Sequence, residues 1–329
     1  MRWKMMYIKY RNMVIQFIGN NSLLKELDGK AVLGKGRLEV INNWCGETDY
    51  TLEYLETDTN DIKYYDDKIV LEGSYHYVRQ TTIVQAIVFM LYQKKNYLAK
   101  IISLHASALV KGDTLILFIG GKGSGKTSMS YLLSKKYEDI KLAANDYIEL
   151  KFNKDHTYTV VNSDYDSEIS FRSHVLYNLD KDLYVRLTGS EQLIFNETVK
   201  STVDFVNLKE NTIVCKKLKL IFIGLGKTAD LEISQKTGVG LQIELYKELV
   251  QFIRGKVVAA IEDGKVIAPF YLDSSYFFDK KISDNVFEVI RQIEDCDDID
   301  IKWIRGSRPE IENYLVKSSD CRERERMYE

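Results

Sequence analysis

Apolar and polar side chains alternate in short segments through the first 79 residues, and turn-forming residues separate these segments. Alternation with a period of two is typical of strands that bury one face. The predicted strands cover residues 13–18, 37–41 and 68–71, with turns at 19–22 and 58–61. We therefore expect a small, mostly β region at the start of the chain.

A helical pattern follows over residues 81–98, where Ile83, Ile87, Met90 and Leu91 have the spacing of one helix face. We expect a helix here that connects the N-terminal β region to the rest of the chain.

The middle of the chain has longer apolar runs. Residues 105–110 and 115–119 indicate two strands joined by a tight turn at 111–113. The second strand is apolar at every position, which is typical of a strand buried on both faces. After a glycine-rich loop, residues 127–136 have an amphipathic helical pattern and residues 140–145 indicate another buried strand. This order is that of a β-α-β unit, which predicts parallel strands.

The remaining segments predict a mixture of helices and strands. Strands are expected at 218–223, 257–261 and 266–268, and helices at 240–253 and 285–293. The chain has only two prolines and no linker rich in glycine or serine, so the expected boundary follows the change of pattern. We predict an accessory region over residues 1–100 and an α/β domain over residues 101–329.

The segment Gly120–Thr127 fits the pattern GxxxxGK[ST] without a mismatch. Its glycines let backbone N–H groups surround a phosphate, and the helix that begins near Gly125 adds its positive end. Lys126 can reach the outer phosphates, and the Thr127 hydroxyl is placed to bind Mg²⁺. Since the motif lies between an apolar strand and an amphipathic helix, the sequence predicts a nucleotide site. The predicted nucleotide-binding residues are Gly120, Gly121, Lys122, Gly123, Ser124, Gly125, Lys126, Thr127 and Ser128.

A second Gly-Lys-Thr sequence, at residues 226–228, also follows an apolar strand. The position five before Gly226 is Ile221 rather than glycine, so this segment cannot close around a phosphate. We interpret it as a turn after a strand, and whether Lys227 faces the site stays open.

Asp146 stands 19 residues after Thr127, at the carboxyl end of the next predicted strand. Ligands bind at this end of open α/β sheets, so Asp146 is expected beside the γ-phosphate, where it could hold Mg²⁺ or accept a proton. The alternative is an aspartate that only caps a turn. His105 begins a strand, where a hydrogen-bonded core histidine is the alternative to a functional one. Glu168 is the later acid to consider if Asp146 does not act.

Three stretches together resemble the HPr kinase/phosphorylase family: residues 103–110, the loop at 120–127 and Ala144-Asn145-Asp146. In that family a strand begun by Leu-His, a hairpin, a phosphate loop, a helix and a strand ending in two aspartates follow in this order. The resemblance covers about residues 103–150 and is closest to the shorter HPr kinase-like proteins found beside peptide-tailoring genes. It implies the phosphoenolpyruvate-carboxykinase-like P-loop fold, with its mixed sheet, and ATP-dependent phosphorylation of a serine.

The same resemblance implies catalytic roles for His105, Lys126 and Asp146, with Asp146 as the general base. It also implies Mg²⁺ ligands at Thr127 and Asp146. Asn145 departs from the family because an aspartate usually stands there, so one charge of the metal site is missing. The C-terminal segment associated with the phosphorylase reaction and the hexameric assembly is not found, so a bifunctional enzyme is not predicted.

Composition and charge narrow the class of protein further. The 329 residues include 46 basic and 48 acidic side chains, and a formal charge of −2 excludes a globally basic nucleic-acid binder. The four cysteines form no CxxC pair, so neither a disulfide framework nor a zinc site is indicated. No secretory signal and no apolar run long enough to span a bilayer are visible. We expect a cytoplasmic protein that binds neither nucleic acid nor membranes.

Taken together, these features predict an ATP-dependent kinase that transfers the γ-phosphate to a hydroxyl. The preferred acceptor is a serine of a peptide or small protein, as in the tailoring of natural-product peptides. A small-molecule kinase and a nucleotide-binding regulatory NTPase are the alternatives. The acceptor, the lid elements and the oligomeric state are not specified by the sequence, and a homo-oligomer is left open.

Overall fold

The computed structural model describes residues 6–32, 36–163, 169–194, 197–201, 213–226, 230–253, 257–262 and 265–325. The chain divides into two compact units, residues 1–100 with 250–287, and residues 101–249 with 288–329.

The strands of both units, in chain order, are β1 (Met6–Tyr10), β2 (Met13–Ile18), β3 (Glu39–Ile41), β4 (Tyr50–Glu56), β5 (Asp61–Tyr64), β6 (Lys68–Gly73), β7 (Ile101–Leu104), β8 (Ala106–Lys111), β9 (Thr114–Ile119), β10 (Ile140–Ala144), β11 (Ile148–Phe152), β12 (Tyr158–Ser163), β13 (Ile169–Arg172), β14 (Thr198–Ser201), β15 (Ile213–Cys215), β16 (Lys217–Leu225), β17 (Glu232–Ser234), β18 (Val257–Glu262), β19 (Lys265–Tyr271) and β20 (Ile299–Gly306).

The helices are α1 (Asn21–Leu27), α2 (Tyr75–Gln80), α3 (Ile83–Leu98), α4 (Lys126–Lys136), α5 (Ser173–Leu179), α6 (Lys181–Thr188), α7 (Gly238–Leu249), α8 (Ser274–Phe277), α9 (Lys280–Glu294) and α10 (Arg308–Glu325). Among the described residues, no helix is long and apolar enough to cross a membrane.

The first unit contains a six-stranded sheet with the strand order β3-β1-β2-β4-β6-β5. Strands β2, β4 and β6 are parallel neighbours, whereas β1 and β5 pair antiparallel with β2 and β6. The unit is thus an α/β structure in which β1, β4 and β5 add to the three predicted strands.

Helix α3 is buried along most of its surface rather than on the single predicted face. Helix α8 and strand β18 contact it, and both come from the segment 250–287. The Phe89 ring also packs edge-on against Phe252, with 6.0 Å between centroids. The chain therefore returns to complete the first unit, and the second unit is not the continuous segment 101–329 that the sequence predicts.

The predicted turn at residues 19–22 is wrong, because helix α1 begins at Asn21. Asn20 caps this helix, and its side-chain oxygen accepts a hydrogen bond from the Ser22 N–H at 2.9 Å. Asparagine and serine favour both turns and helix N-caps, which is why the local pattern is ambiguous.

The second unit contains a six-stranded mixed sheet with the order β10-β8-β9-β16-β20-β17. Strands β9, β16 and β20 are parallel neighbours, whereas β8 lies between β9 and β10 and is antiparallel to both. Strands β9 and β10 run in the same direction, as predicted, but they are not adjacent. The sheet is therefore mixed, as expected from the resemblance, and only the adjacency implied by the β-α-β pattern is wrong, since β8 folds back on β9 through a two-residue turn and occupies the neighbouring position.

Both faces of this sheet are covered. On one face, Phe118 and Ile221 belong to an apolar cluster with Met129 of α4. On the other face, Leu220 shares a small cavity with Leu150 of β11 and Leu245 of α7. This burial accounts for the continuous apolar runs in β9 and β16.

Two smaller sheets complete the second unit. Strands β15-β12-β11-β7 form an antiparallel sheet, and β13 pairs with β14. The sequence predicts none of these six strands, and it also omits β17 and β20. The predicted later elements at 218–223, 240–253, 257–261, 266–268 and 285–293 correspond to β16, α7, β18, β19 and α9.

Candidate active site

Three segments of the second unit converge at one edge of the mixed sheet. Strands β9 and β10 run in the same direction, so the loop after Ile119 and the residues after Ala144 lie at the same edge. Strand β8 runs the opposite way, so His105, which precedes it, lies there too. The topology therefore brings together the glycine-rich loop, Asp146 and His105.

The conformation of the loop requires glycine at its first position and at the position before α4. Gly125 has φ +98°, and a Cβ atom there would lie 2.2 Å from Cδ1 of Leu225. Gly120 has φ +154°, and a Cβ atom there would lie 2.8 Å from the carbonyl oxygen of Ile223. The Leu225 N–H donates to the Ser124 carbonyl at 2.9 Å, so the end of β16 packs directly against the loop.

Lys126 is buried, with only 7% of its surface exposed. Its ammonium donates to the carbonyl oxygens of Gly120 at 2.6 Å and Gly121 at 3.3 Å. Burial lowers the pKa of Lys126, and the carboxylates of Asp146 and Glu248 act in the opposite direction. The loop thus surrounds a desolvated ammonium group, and the negative charge of Asp146 acts on it.

Thr127 and Ser128 lie in the first turn of α4, where both are partly exposed. The Ser130 hydroxyl donates to the Lys126 carbonyl at 3.0 Å and fixes this turn from the interior. Lys122, in contrast, is exposed at the outer side of the loop.

Asp146 is paired with His105. The Nε2 atom of His105 lies 2.6 Å from Oδ1 of Asp146. The two side chains are 31% and 51% exposed, so both remain accessible to a reactant. His105, for which the sequence leaves two interpretations, lies with Asp146 rather than inside the apolar core.

Hydrogen bonds beside this pair hold its backbone. The Ser107 hydroxyl donates to the Asn145 carbonyl at 2.6 Å. On the other side, the Tyr147 hydroxyl bonds to the Glu149 carboxylate and lies 3.1 Å from the Ser103 hydroxyl. These last three side chains are fully buried, so the segment that carries Asp146 is anchored on both sides.

A cleft of about 610 Å³ opens beside the second half of the loop. Gly123, Gly125, Thr127 and Ser128 form one side of it. The opposite sides come from the ends of β13, β16 and β20, from α5 and from the beginning of α10. The polar residues that these elements contribute are Arg172, His174, Asn178, Ser307 and Arg308.

Arg172 and Arg308 are not predicted from the sequence. Strand β20 is parallel to β9, so residues after its carboxyl end lie at the edge that carries the loop. The signal available in the sequence is the segment Gly306-Ser307-Arg308, which follows alternating apolar and polar residues and marks the end of a strand.

The second Gly-Lys-Thr sequence is a strand end as far as it is described. Gly224 and Leu225 belong to β16, and the Gly226 N–H donates to the Gly306 carbonyl at 2.9 Å. Lys227, Thr228 and Glu168 lie outside the described residues.

Among the described residues, no group of three or more His, Cys, Asp or Glu side chains could hold a metal ion. The Thr127 hydroxyl and the Asp146 carboxylate are the predicted ligands, and both belong to segments at the loop edge of the sheet.

Comparison with the models of known protein families gives no match, and the search of curated proteins gives none either.

Proposed function

We propose that this chain is an ATP-dependent kinase that transfers the γ-phosphate to the hydroxyl of a serine in a peptide or small protein. The observation that carries the proposal is the accessible Asp146–His105 pair, 2.6 Å apart, at the sheet edge that also holds the phosphate loop. A loop alone would support nucleotide binding. The carboxylate beside it supports a reaction with a hydroxyl.

Each residue then has a role that follows from its surroundings. Phosphoryl transfer requires positioning and compensation of charge on the transferred group. Backbone N–H groups of the loop and the Lys126 ammonium supply that compensation. Asp146 would orient the acceptor hydroxyl and accept its proton, and His105 would hold the Asp146 carboxylate in place.

The donor set fits Mg²⁺ that enters together with the nucleotide. This ion commonly binds one or two protein oxygens and completes its coordination with phosphates and water. The Thr127 hydroxyl and the Asp146 carboxylate would provide those protein oxygens. When bound, Mg²⁺ would neutralise charge on the phosphates.

The nature of the acceptor rests on the resemblance to the HPr kinase/phosphorylase family over residues 103–150. Its members phosphorylate serine, and the shorter HPr kinase-like proteins are found beside peptide-tailoring genes. The resemblance supports a P-loop fold of the phosphoenolpyruvate-carboxykinase-like type for the second unit. Asn145 gives this chain a site with less negative charge than that family has.

Release of ADP tests the proposal against the two alternatives. We expect ADP release to depend on an added serine-containing peptide, and peptides encoded beside this gene are the acceptors to try first. ADP release that responds instead to a metabolite with a hydroxyl group would indicate a small-molecule kinase. Release at the same rate with no acceptor would indicate a regulatory NTPase and would contradict the proposal.

A further inference from the structure

The cleft beside the loop is lined by basic side chains. Arg172, His174 and Arg308 line it, and no carboxylate is among its lining residues. Arg172 ends β13 and Arg308 begins α10, so two separate elements bring guanidinium groups to one cleft. Together with the loop, these groups make the cleft suited to an anion.

Neither arginine forms an ion pair within the part of the chain that the structure describes. The Nη2 atom of Arg308 donates to the Asn178 carbonyl at 3.3 Å, and this neutral acceptor orients the guanidinium without neutralising its charge. The nearest acid on α10, Glu310, accepts from the Ser307 hydroxyl at 2.6 Å, and this bond holds the pKa of Glu310 below its usual range. Asp180, which follows the end of α5, does not pair with either arginine: its carboxylate accepts hydrogen bonds from the Tyr131 hydroxyl and the Leu183 N–H.

The proposed roles of Asp146 and Lys126 determine the direction in which a nucleotide would lie along the loop. The reacting end of the triphosphate must face Asp146, and the charge of Asp146 acts on Lys126. Neither Asp146 nor His105 lines the cleft, so the cleft lies away from the reacting end. A nucleotide bound in the loop with its γ-phosphate toward Asp146 therefore directs its nucleoside end past Thr127 and Ser128.

We propose that this cleft binds the α-phosphate and the nucleoside of ATP, and that Arg172 and Arg308 bind the non-bridging phosphate oxygens there. The inference rests on the proposed function. Guanidinium groups recognise phosphates by paired hydrogen bonds, and a volume of about 610 Å³ is in the range of small-molecule sites. The two arginines are thus positioning residues that act on the part of the nucleotide that does not react.

Calorimetric titration with ADP and Mg²⁺ tests the inference in the full-length protein. We expect Arg172→Gln and Arg308→Gln each to weaken ADP binding roughly tenfold or more, since each removes charge-assisted hydrogen bonds. Arg186→Gln is the matched control, because Arg186 is an exposed arginine of α6 that does not line the cleft. Its affinity for ADP should equal that of the wild type.

Two further readouts separate a contact with phosphate from a structural role. The affinity of the Gln variants for ADP should depend less steeply on salt than that of the wild type, because a charged contact is lost. Arg172→Lys and Arg308→Lys keep the charge without the paired geometry and should recover part of the affinity. These Lys variants also provide the test if a Gln variant does not fold.

The outcomes distinguish this inference from the function on which it rests. If the wild type binds ADP and the cleft variants bind it equally well, the inference is wrong and the kinase proposal stands. A rise only in the KM of the acceptor would also overturn it, because the cleft would then hold the acceptor. If the wild type does not bind ADP, both proposals fail.

Discussion

His105 Nε2 and Asp146 Oδ1 lie 2.6 Å apart although 41 residues separate them in the sequence. Two strand ladders produce this proximity. Ala108 of β8 is paired with Ala144 of β10, and Leu104 of β7 is paired with Ile148 of β11. His105 and Asp146 occupy the gap between the two ladders, so the register of both sheets sets their separation.

The first prediction concerns the charge of this pair. Asp146→Asn keeps the shape of the side chain but removes its charge and most of its basicity. We expect the transfer rate to fall about 10²-fold or more, whereas ATP should still bind, because the proposed site takes most of its phosphate contacts from the loop. Single-turnover kinetics give the rate, and titration with a non-hydrolysable ATP analogue gives the affinity.

Asp139→Asn is the control for that variant, because Asp139 pairs with Lys111 at the start of β10, away from the loop edge. Its rate should be unchanged. Near-normal turnover in Asp146→Asn would remove Asp146 from the reaction and direct attention to later acids such as Glu168. Loss of nucleotide binding in a folded Asp146→Asn protein would show that Asp146 acts mainly as a metal ligand.

A second prediction tests whether His105 acts through Asp146. His105→Gln should lower the transfer rate by about tenfold, in the range typical of residues that orient a functional group. In the Asp146→Asn background the same change should have little further effect, because the oriented carboxylate is already absent. A full additional tenfold loss in the double variant would show that His105 contacts the reactants independently.

Local segments of this site are predictable from the sequence, and non-local ones are not. Strand β9, the loop and α4 follow from adjacent residues, since an apolar run, glycines and an amphipathic pattern occur in order. The insertion of β8 between β9 and β10 depends on pairing, which the periodicity of a single segment does not encode. Arg172 and Arg308 cannot be predicted for the same reason, because their position in the cleft depends on the order of the strands in the sheets.

The third prediction compares two lysines of one loop. Lys126→Ala removes the buried ammonium at the centre of the loop and should raise the barrier to transfer by about 3 kcal/mol or more. Lys122→Ala removes an exposed lysine four residues earlier and should change the rate much less. Rates of phosphorylation with saturating acceptor measure both effects. Equal rates for Lys126→Ala and the wild type would contradict the assignment of a nucleotide site.

The fourth prediction follows from the pKa of Lys126, which burial lowers from its ordinary value of 10.5. Phosphate groups beside the ammonium raise that pKa again. Binding of ATP at alkaline pH below 10.5 should therefore take up protons, and Lys126→Met should abolish this uptake. Calorimetry in two buffers with different ionisation enthalpies measures the number of protons. Uptake that persists unchanged in Lys126→Met would assign the protons to another group.

The same shift affects the stability of the nucleotide-free protein. Between the lowered pKa and 10.5, the unfolded chain binds more protons at Lys126 than the folded chain does. This contribution to stability therefore increases as the pH rises through that interval. Thermal unfolding as a function of pH should show a steeper alkaline rise for the wild type than for Lys126→Met.

The fifth prediction uses two glycines of the loop with positive φ. Gly123→Ala at φ +84° meets no atom within 4 Å, so it should cost only the backbone strain of about 1–2 kcal/mol. Gly125→Ala adds a clash with Leu225 and should lower the thermal unfolding midpoint further. Leu225→Ala should recover part of the loss in the Gly125→Ala background. Equal midpoints for the two single variants would show that the loop moves away from β16 without cost.

The proposed transfer of phosphate to a serine is tested most directly by mass spectrometry of the acceptor. Candidate peptides are incubated with the protein, Mg²⁺ and ATP that carries heavy oxygen in its γ-phosphate. We expect a peptide with one labelled phosphoryl group on a serine, formed by the wild type and almost absent with Asp146→Asn. Accumulation of ADP at an undiminished rate, with the label only in inorganic phosphate and no modified peptide, would contradict the assignment of a serine kinase.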